Sequence, residues 1–220
     1  MKICVIIPFY NERRFIAEVV NGSLQFVSNV IAVDDGSTDR GNDEILGTGG
    51  VEVVRLPVNK GKGTALRTGL EIALKRGFEA AITLDGDKQH PPEKIPEFIE
   101  KLSDFDLVIG KRDFTPGVMP PHRILSNTIS SLLLSVKTGV RFLDSQSGYR
   151  GFRASIIQNI LPYETGFVAE TEMLIKASKA GAKFGWVNIP TIYGEEKSKM
   201  KNTETTIKFV KTILKPLREY

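Results

Sequence analysis

Two short segments concentrate acids in a way that invites chemistry: Asp34-Asp35 in VDDGSTD and Asp85-Gly86-Asp87 in LDGDKQH. Carboxylates gathered in one site repel one another unless something positive enters. A hard divalent cation is the economical answer, because carboxylate and amide oxygens are its ligands. Asp85 and Asp87 are two apart, so an extended backbone would turn both to one face, with Gln89 continuing the alternation as a third oxygen donor. Gly86 lets a ligand approach the backbone. Mg²⁺ and Mn²⁺ usually complete their shell with substrate phosphates, so a diphosphate-bearing substrate is the expected second partner.

The elements that must hold these groups follow from apolar periodicity. Ile3 to Pro8, Val30 to Asp34, Val51 to Leu56, Ala80 to Leu84 and Leu107 to Gly110 read as buried strands, and AKFGWVNIP is strand-like. Pro91-Pro92 forbids continuing the fourth strand past its acids. Leu66, Leu70, Ala73 and Leu74 recur at helical spacing, with Gly77 as a stop. Strands separated by helix-length segments imply parallel βαβ units, which place ligands at the carboxyl ends of the strands. Those ends carry PFYNE, VDDGSTD, NKGKGTALRTG and DGDKQH. No G-x-G-x-x-G follows the first strand, and NKGKG lacks the spacing of a P-loop, so neither dinucleotide fingerprint nor Walker motif is present.

The composition bounds the rest. A chain of 220 residues, 41% hydrophobic and 25% charged, is an ordinary globular composition large enough for one continuous core. Cys4 is the single cysteine and lies in an apolar run, so it reads as a core residue in a reducing, cytoplasmic setting. No apolar run approaches the roughly 20 residues of a spanning helix, and the first run is too short for a signal peptide. A net charge of +4 suits anionic small molecules or a lipid surface and is too weak to argue for nucleic acid.

Taken in order, VIIPFYNE, VDDGSTD, NKGKGTALRTG, LDGDKQHPPE, DSQSGYRGFR and ETEMLIKASKAG cover nearly the whole chain. Together they resemble the inverting glycosyltransferases of family 2, nearest to the dolichol-phosphate mannosyltransferase and polyprenyl-phosphate glycosyltransferase group. The resemblance implies a GT-A α/β fold, a mostly parallel central sheet flanked by helices. It also implies a nucleotide diphosphate sugar donor, GDP-mannose or a UDP-sugar, and Mg²⁺ or Mn²⁺ held by Asp85, Asp87 and Gln89. Pro8, Tyr10 and Glu12 would line the nucleotide pocket, Asp35 with Asp34 would contact base and ribose, and Arg67 is a further nucleotide contact. Gly86 stands where the mannosyltransferase pattern often has alanine, and Lys88 where it often has leucine, so the metal site resembles the family's without being identical, and DSQSGYRGF is nearer to the glucosyltransferase and bacterial variants, which leaves the donor open. In this family a mobile segment closes over the donor, and Lys197 and Lys199 of TIYGEEKSKMKN would then meet the diphosphate.

The acceptor implied is a polyprenyl phosphate, whose oxygen is already anionic and wants arginines rather than a base. Arg112 and Arg123 match the family's phosphate-binding arginines, with Asn127 beside them, and Pro120-Pro121 suits the start of the helix that carries Arg123. Arg123, Asn127, Ser131 and Ser135 form a polar stripe opposite Leu125, Leu132, Leu133 and Val136, and the serines read as solvent-facing. If the acceptor were a hydroxyl, a carboxylate base would be needed, with Asp144 ahead of Glu170 and Glu172. Asp87, Arg112 and Asp144 are therefore the catalytic candidates. Residues 1–202 read as the transferase domain. Residues 203–220 read as an amphipathic basic helix that either lies on an anionic membrane face, as a peripheral contact, or packs on protein. The reading from another class is a nucleotide-sugar binding protein without catalysis, and a nucleotidyltransferase on a related fold is a further rival.

Overall fold

The structure is a computed structural model that describes residues 1–114, 118–166, 168–192 and 202–220. Seven strands, β1 (Ile3–Phe9), β2 (Val30–Asp34), β3 (Val51–Arg55), β4 (Ala80–Thr83), β5 (Leu107–Arg112), β6 (Arg150–Arg153) and β7 (Phe184–Ile189), form one sheet. Their order is β3-β2-β1-β4-β6-β5-β7. All pairings are parallel except those of β6, which runs antiparallel between β4 and β5. The five expected strands and the strand-like seventh are present. The sixth has the sequence RGFR, too short and too charged to show an apolar run.

Helices cover both faces, which is why β1 and β2 are buried throughout and apolar up to Asp34 at the end of β2. Ile3, Val5, Ile7 and Phe9 point to the layer of α1 (Ile16–Leu24) and α3 (Ile95–Lys101). Cys4 and Ile6 point to the layer of α2 (Lys62–Lys75), α5 (Ala154–Ile160) and α6 (Ala169–Lys179). The Cys4 thiol is a buried core group, as expected, and burial pushes its pKa up to about 12. Gly69 lets α2 lie close on β1: a Cβ there would fall 2.4 Å from Ile6 Cγ2. The chain leaves β1 toward β2 on one side, while β4 pairs on the other, so a crevice opens between the carboxyl ends of β1 and β4.

Two further helices border that crevice. The helix α4 (Pro121–Thr138) begins behind Pro120 as its sequence suggests, and it is turned opposite to expectation. Asn127, Ser130 and Ser131 are buried, whereas Leu125, Leu132 and Val136 are 61%, 61% and 77% exposed. The cause is the partner beneath it: Ser131 Oγ meets Ser145 Oγ at 3.1 Å, and the Gln146 side-chain amide donates to Ser130 Oγ at 2.7 Å. The last helix, α7 (Asn202–Leu214), rests on α4 and α6 with Thr212 buried and Ile213 packed on the core. Lys137 of α4 donates to the carbonyls of Ile213 and Lys215, capping the end of α7. Ile207, Val210 and Leu214 remain outward.

Candidate functional site

At the crevice the chain forms a cleft of about 1040 Å³, lined from the ends of β1, β2, β4 and β5 and from α4, the 145–148 loop and α6. Pro8, Tyr10 and Glu12 enter it from β1, Asp35 from β2, and Asp85, Gly86, Asp87 and Gln89 from β4. Arg112, Arg123 and Asn127 line it as well, from the end of β5 and from α4.

Each turn is tied to its neighbour. Asn11 takes a left-handed φ of 54°, and its backbone N–H donates to Ser37 Oγ at 2.9 Å while its Oδ1 accepts the Thr38 N–H at 2.8 Å. It thus joins the first turn to the second rather than capping α1, whose N-terminus lies further on. Asp35 accepts the N–H groups of Lys60 and Gly61, both at 2.8 Å, which pins the NKGKG loop and the start of α2.

The two acids of VDDGSTD have separate fates. Asp34 is fully buried and does not line the cleft; it accepts the Ser37 N–H at 2.7 Å and has Arg55 Nε at 3.6 Å. Arg67 is likewise outside the cleft, on the flank of α2, where its Nε donates to Glu71 at 2.8 Å and its Nη1 to the Pro162 carbonyl at 3.3 Å. An i, i+4 acid takes up its fork there. Lys197 and Lys199 lie outside the described residues.

The acids after β4 are not presented by extended alternation. The chain turns at Gly86 and Asp87, with Lys88 at a φ of 66°, and this turn delivers Asp85, Asp87 and Gln89 to one wall. Gln89 N–H donates to Asp87 Oδ1 at 3.0 Å. The space a side chain at position 86 would take belongs to Phe9, whose Cβ would be 2.9 Å away, so the glycine serves close packing on β1 as well as access to the cleft.

Asp85 is the best supported of these acids. Its N–H donates to His90 Nδ1 at 3.0 Å, and Lys62 Nζ stands 2.6 Å from its Oδ1 and 3.2 Å from Glu170. Burial works against the charge of Asp85, but Lys62 foremost, with Arg112 beside it, outweighs that cost and holds the carboxyl below its usual range. Burial likewise opposes the charge of Lys62, and Asp85 and Glu170 more than compensate, raising its pKa. For His90 burial dominates and lowers the pKa to about 4, keeping the ring neutral.

Among the described residues no cluster of three or more His, Cys, Asp or Glu side chains forms a ready-made metal cage. Two carboxylates and an amide on one wall of an open cleft are instead the partial oxygen set that a magnesium-type ion uses when substrate phosphates supply the remainder.

Behind the cleft lining, the fully buried Asp144 accepts from Arg112 Nε at 2.7 Å and Nη2 at 2.9 Å, a bidentate pair. Glu172 is structural: it accepts the Tyr163 and Glu164 N–H groups and pairs with Lys176 at 2.7 Å. Arg150 carries a role that residue type alone did not disclose. Fully buried, it donates to the carbonyls of Ser147 at 2.9 Å, Glu170 at 2.7 Å and Ser145 at 2.9 Å, so one guanidinium fixes the loop and the first turn of α6. Its only signal in the sequence was an arginine inside SGYRGF.

A family model described as Glycosyl transferase family 2 matches residues 4–161. The chain is 32% identical over 202 residues to an uncharacterized protein of Methanocaldococcus jannaschii, covering 88% of this chain and 83% of that one. It is also 32% identical to the UDP-N-acetylglucosamine–dolichyl-phosphate N-acetylglucosaminyltransferase of Methanococcus voltae, over 88% of this chain and 86% of that one. Its fold matches glucosyl-3-phosphoglycerate synthase from Mycobacterium tuberculosis, crystallised with Mn²⁺, UDP and glucosyl-3-phosphoglycerate. There the TM-score is 0.76 at 23% identity, over 97% of this chain and 78% of that one.

Replacing Arg150 by Met keeps most of its volume and strands the loop carbonyls of Ser145 and Ser147, while the Glu170 carbonyl keeps its place in the α6 ladder. At about 1–3 kcal/mol for each unsatisfied group, Arg150→Met is expected to lower unfolding free energy by roughly 2 kcal/mol or more, measured by urea denaturation.

Proposed function

The chain belongs to glycosyl transferase family 2 and has the GT-A fold, and from that premise we propose that it moves a hexose from a nucleotide diphosphate sugar to a polyprenyl phosphate. The observation that carries this reading is the state of Asp144. A carboxylate with both oxygens on one guanidinium is poorly placed to take a proton, whereas it holds that guanidinium rigidly toward the cleft. The cleft beside Arg112 is thus suited to an acceptor that is already an anion. Relatives named for dolichyl phosphate and, in Micrococcus luteus, undecaprenyl phosphate support the same class.

In this mechanism Pro8, Tyr10, Glu12 and Asp35 hold the nucleotide, and Asp85, Asp87 and Gln89 hold Mg²⁺ or Mn²⁺. A divalent cation bound there supplies Lewis-acid neutralisation of the leaving diphosphate. Arg112, Arg123 and Asn127 orient the acceptor phosphate opposite the leaving group. Its oxygen forms the new bond to the anomeric carbon as the bond to the nucleoside diphosphate breaks, the electron pair leaving with the diphosphate and the configuration inverting. No proton need be transferred.

The acceptor's hydrocarbon also finds a surface. Ile129, Leu133 and Val210 line the cleft and are exposed, continuous with outward Leu125, Leu132, Val136 and Leu214. Residues 114–143 and 205–218 contain no acid, and Lys208, Lys211, Lys215 and Arg218 stand exposed. An apolar face within an acid-free, basic surround fits an anionic bilayer surface. No helix among the described residues is long and apolar enough to cross a membrane, so this contact is interfacial.

Calorimetric titration of GDP-mannose, UDP-glucose and UDP-N-acetylglucosamine, with Mn²⁺ and with chelator, tests the donor side. One donor is expected to bind only with metal and to lose that binding in Asp87→Asn; a folded protein that binds none of the three, or binds equally in chelator, would contradict the reading. For the acceptor side, Asp144→Asn should raise the acceptor KM while kcat falls less than about tenfold, whereas loss of a true general base costs about 10²–10⁴ in kcat. For the surface, wild type should float with phosphatidylglycerol-containing vesicles and not with pure phosphatidylcholine, and the double variant Leu132→Glu, Val136→Glu should stay in solution. Equal flotation of the variant, or self-association that buries this face instead, would remove the membrane assignment.

A further inference from the structure

Lys62 is the first residue of α2, and its ammonium lies between two carboxylates of the cleft, 2.6 Å from Asp85 and 3.2 Å from Glu170. The loop beneath is shaped to allow it. A Cβ on Gly148 would fall 2.8 Å from Lys62 Nζ, 2.9 Å from Glu170 Oε1 and 3.0 Å from Asp85 Oδ2, so the triad closes only over a residue with no side chain. The Glu170 end is fixed in turn, since its carbonyl accepts from Arg150. This is a built arrangement of three charged groups from three separate elements, and binding a donor does not by itself require it.

We propose that Lys62 is an internal counter-cation that couples metal binding to donor binding. The inference rests on the metal-dependent donor reading above. A divalent ion on Asp85 and the ammonium compete for one carboxylate, and at this separation the two cations repel strongly in a partly desolvated site. The metal alone therefore binds weakly. A nucleoside diphosphate brings negative charge enough for both, so the ammonium moves its weight to Glu170 and the diphosphate while Asp85 passes to the metal. Lys62 is on this account a positioning residue, and it keeps Asp85 in place until the donor arrives.

Two substitutions pull in opposite directions, which a merely structural role would not produce. Mn²⁺ binding is measured by electron paramagnetic resonance, without nucleotide and with GDP or UDP, on proteins whose cooperative melting without metal has been confirmed. Lys62→Met is expected to bind Mn²⁺ alone about tenfold more tightly or better, and to lose most of the enhancement that the nucleotide gives wild type. Glu170→Gln removes the carboxylate that shares the ammonium with Asp85 and should weaken binding of Mn²⁺ alone. Lys62→Arg, which keeps the charge, should retain the weak binding of wild type, and it serves in place of Glu170→Gln should that variant not fold. Unchanged Mn²⁺ affinity in Lys62→Met, or a shift of the same sign in Glu170→Gln, would overturn the proposal while leaving the donor reading intact. A wild type that binds no Mn²⁺ even with nucleotide would remove both.

Discussion

The structure is organised around the cost of crowding carboxylates at one edge of a sheet. Glu12, Asp34, Asp35, Asp85, Asp87 and Glu170 come from the ends of β1, β2 and β4 and from α6 and converge near the crevice between β1 and β4, where burial raises the cost of every negative charge. The chain meets that cost locally and by different means. Asp35 is offset by two backbone amides, Asp34 by an amide and Arg55, Asp85 and Glu170 by a shared lysine. Each solution dictates geometry: the amides fix the loop before α2, and the lysine fixes the start of α2 over the turn after β4. What looks like a ligand pocket is first an electrostatic settlement among loops.

That logic explains what could be read from residues alone. Strands buried on both faces must be apolar throughout, so β1, β2, β4 and β5 stood out, and their polar ends pointed to the site. Arg150–Arg153 did not stand out, because its arginines reach carbonyls as far off as Glu170 and Leu102 and no local pattern records that. Asp34 and Asp35 are the same residue in adjacent places, yet pleating sends one into the sheet edge and the other into the cleft. Arg67 was drawn toward the site by its neighbourhood in sequence, but 3.6 residues per turn carried it to the flank of α2 beside Glu71. The aspartates after β4 both line the cleft, through a turn rather than the extended backbone expected; a left-handed Lys88 is invisible to side-chain periodicity.

The reversed orientation of α4 has a different origin. Amphipathic periodicity identifies two faces and says nothing about which is inward; the usual assignment assumes that water lies outside. Here the inward partner is a polar loop, so Ser130 and Ser131 satisfy its hydroxyl, amide and backbone groups, and Leu125, Leu132 and Leu133 are left to the exterior while Leu134 packs in the core. A helix in which the hydrophobic face is the outer one is stable only if the polar face is well bonded or if something apolar covers the other side. Both conditions direct attention to the same place, the rim of the cleft.

The loop at residues 144–148 is where these arguments meet. Asp144 grips Arg112, Ser145 and Gln146 grip α4, and Gly148 yields the space in which Lys62, Asp85 and Glu170 assemble. Both walls of the cleft therefore take their positions from one short segment. That segment owes its shape to Arg150, whose three hydrogen bonds to carbonyls are buried and charge-assisted. Two substrates that must meet in line within a fraction of an ångström need walls that do not drift relative to each other. A loop braced by a buried guanidinium, and tied by it to the first turn of α6 and by two serines to α4, supplies that rigidity.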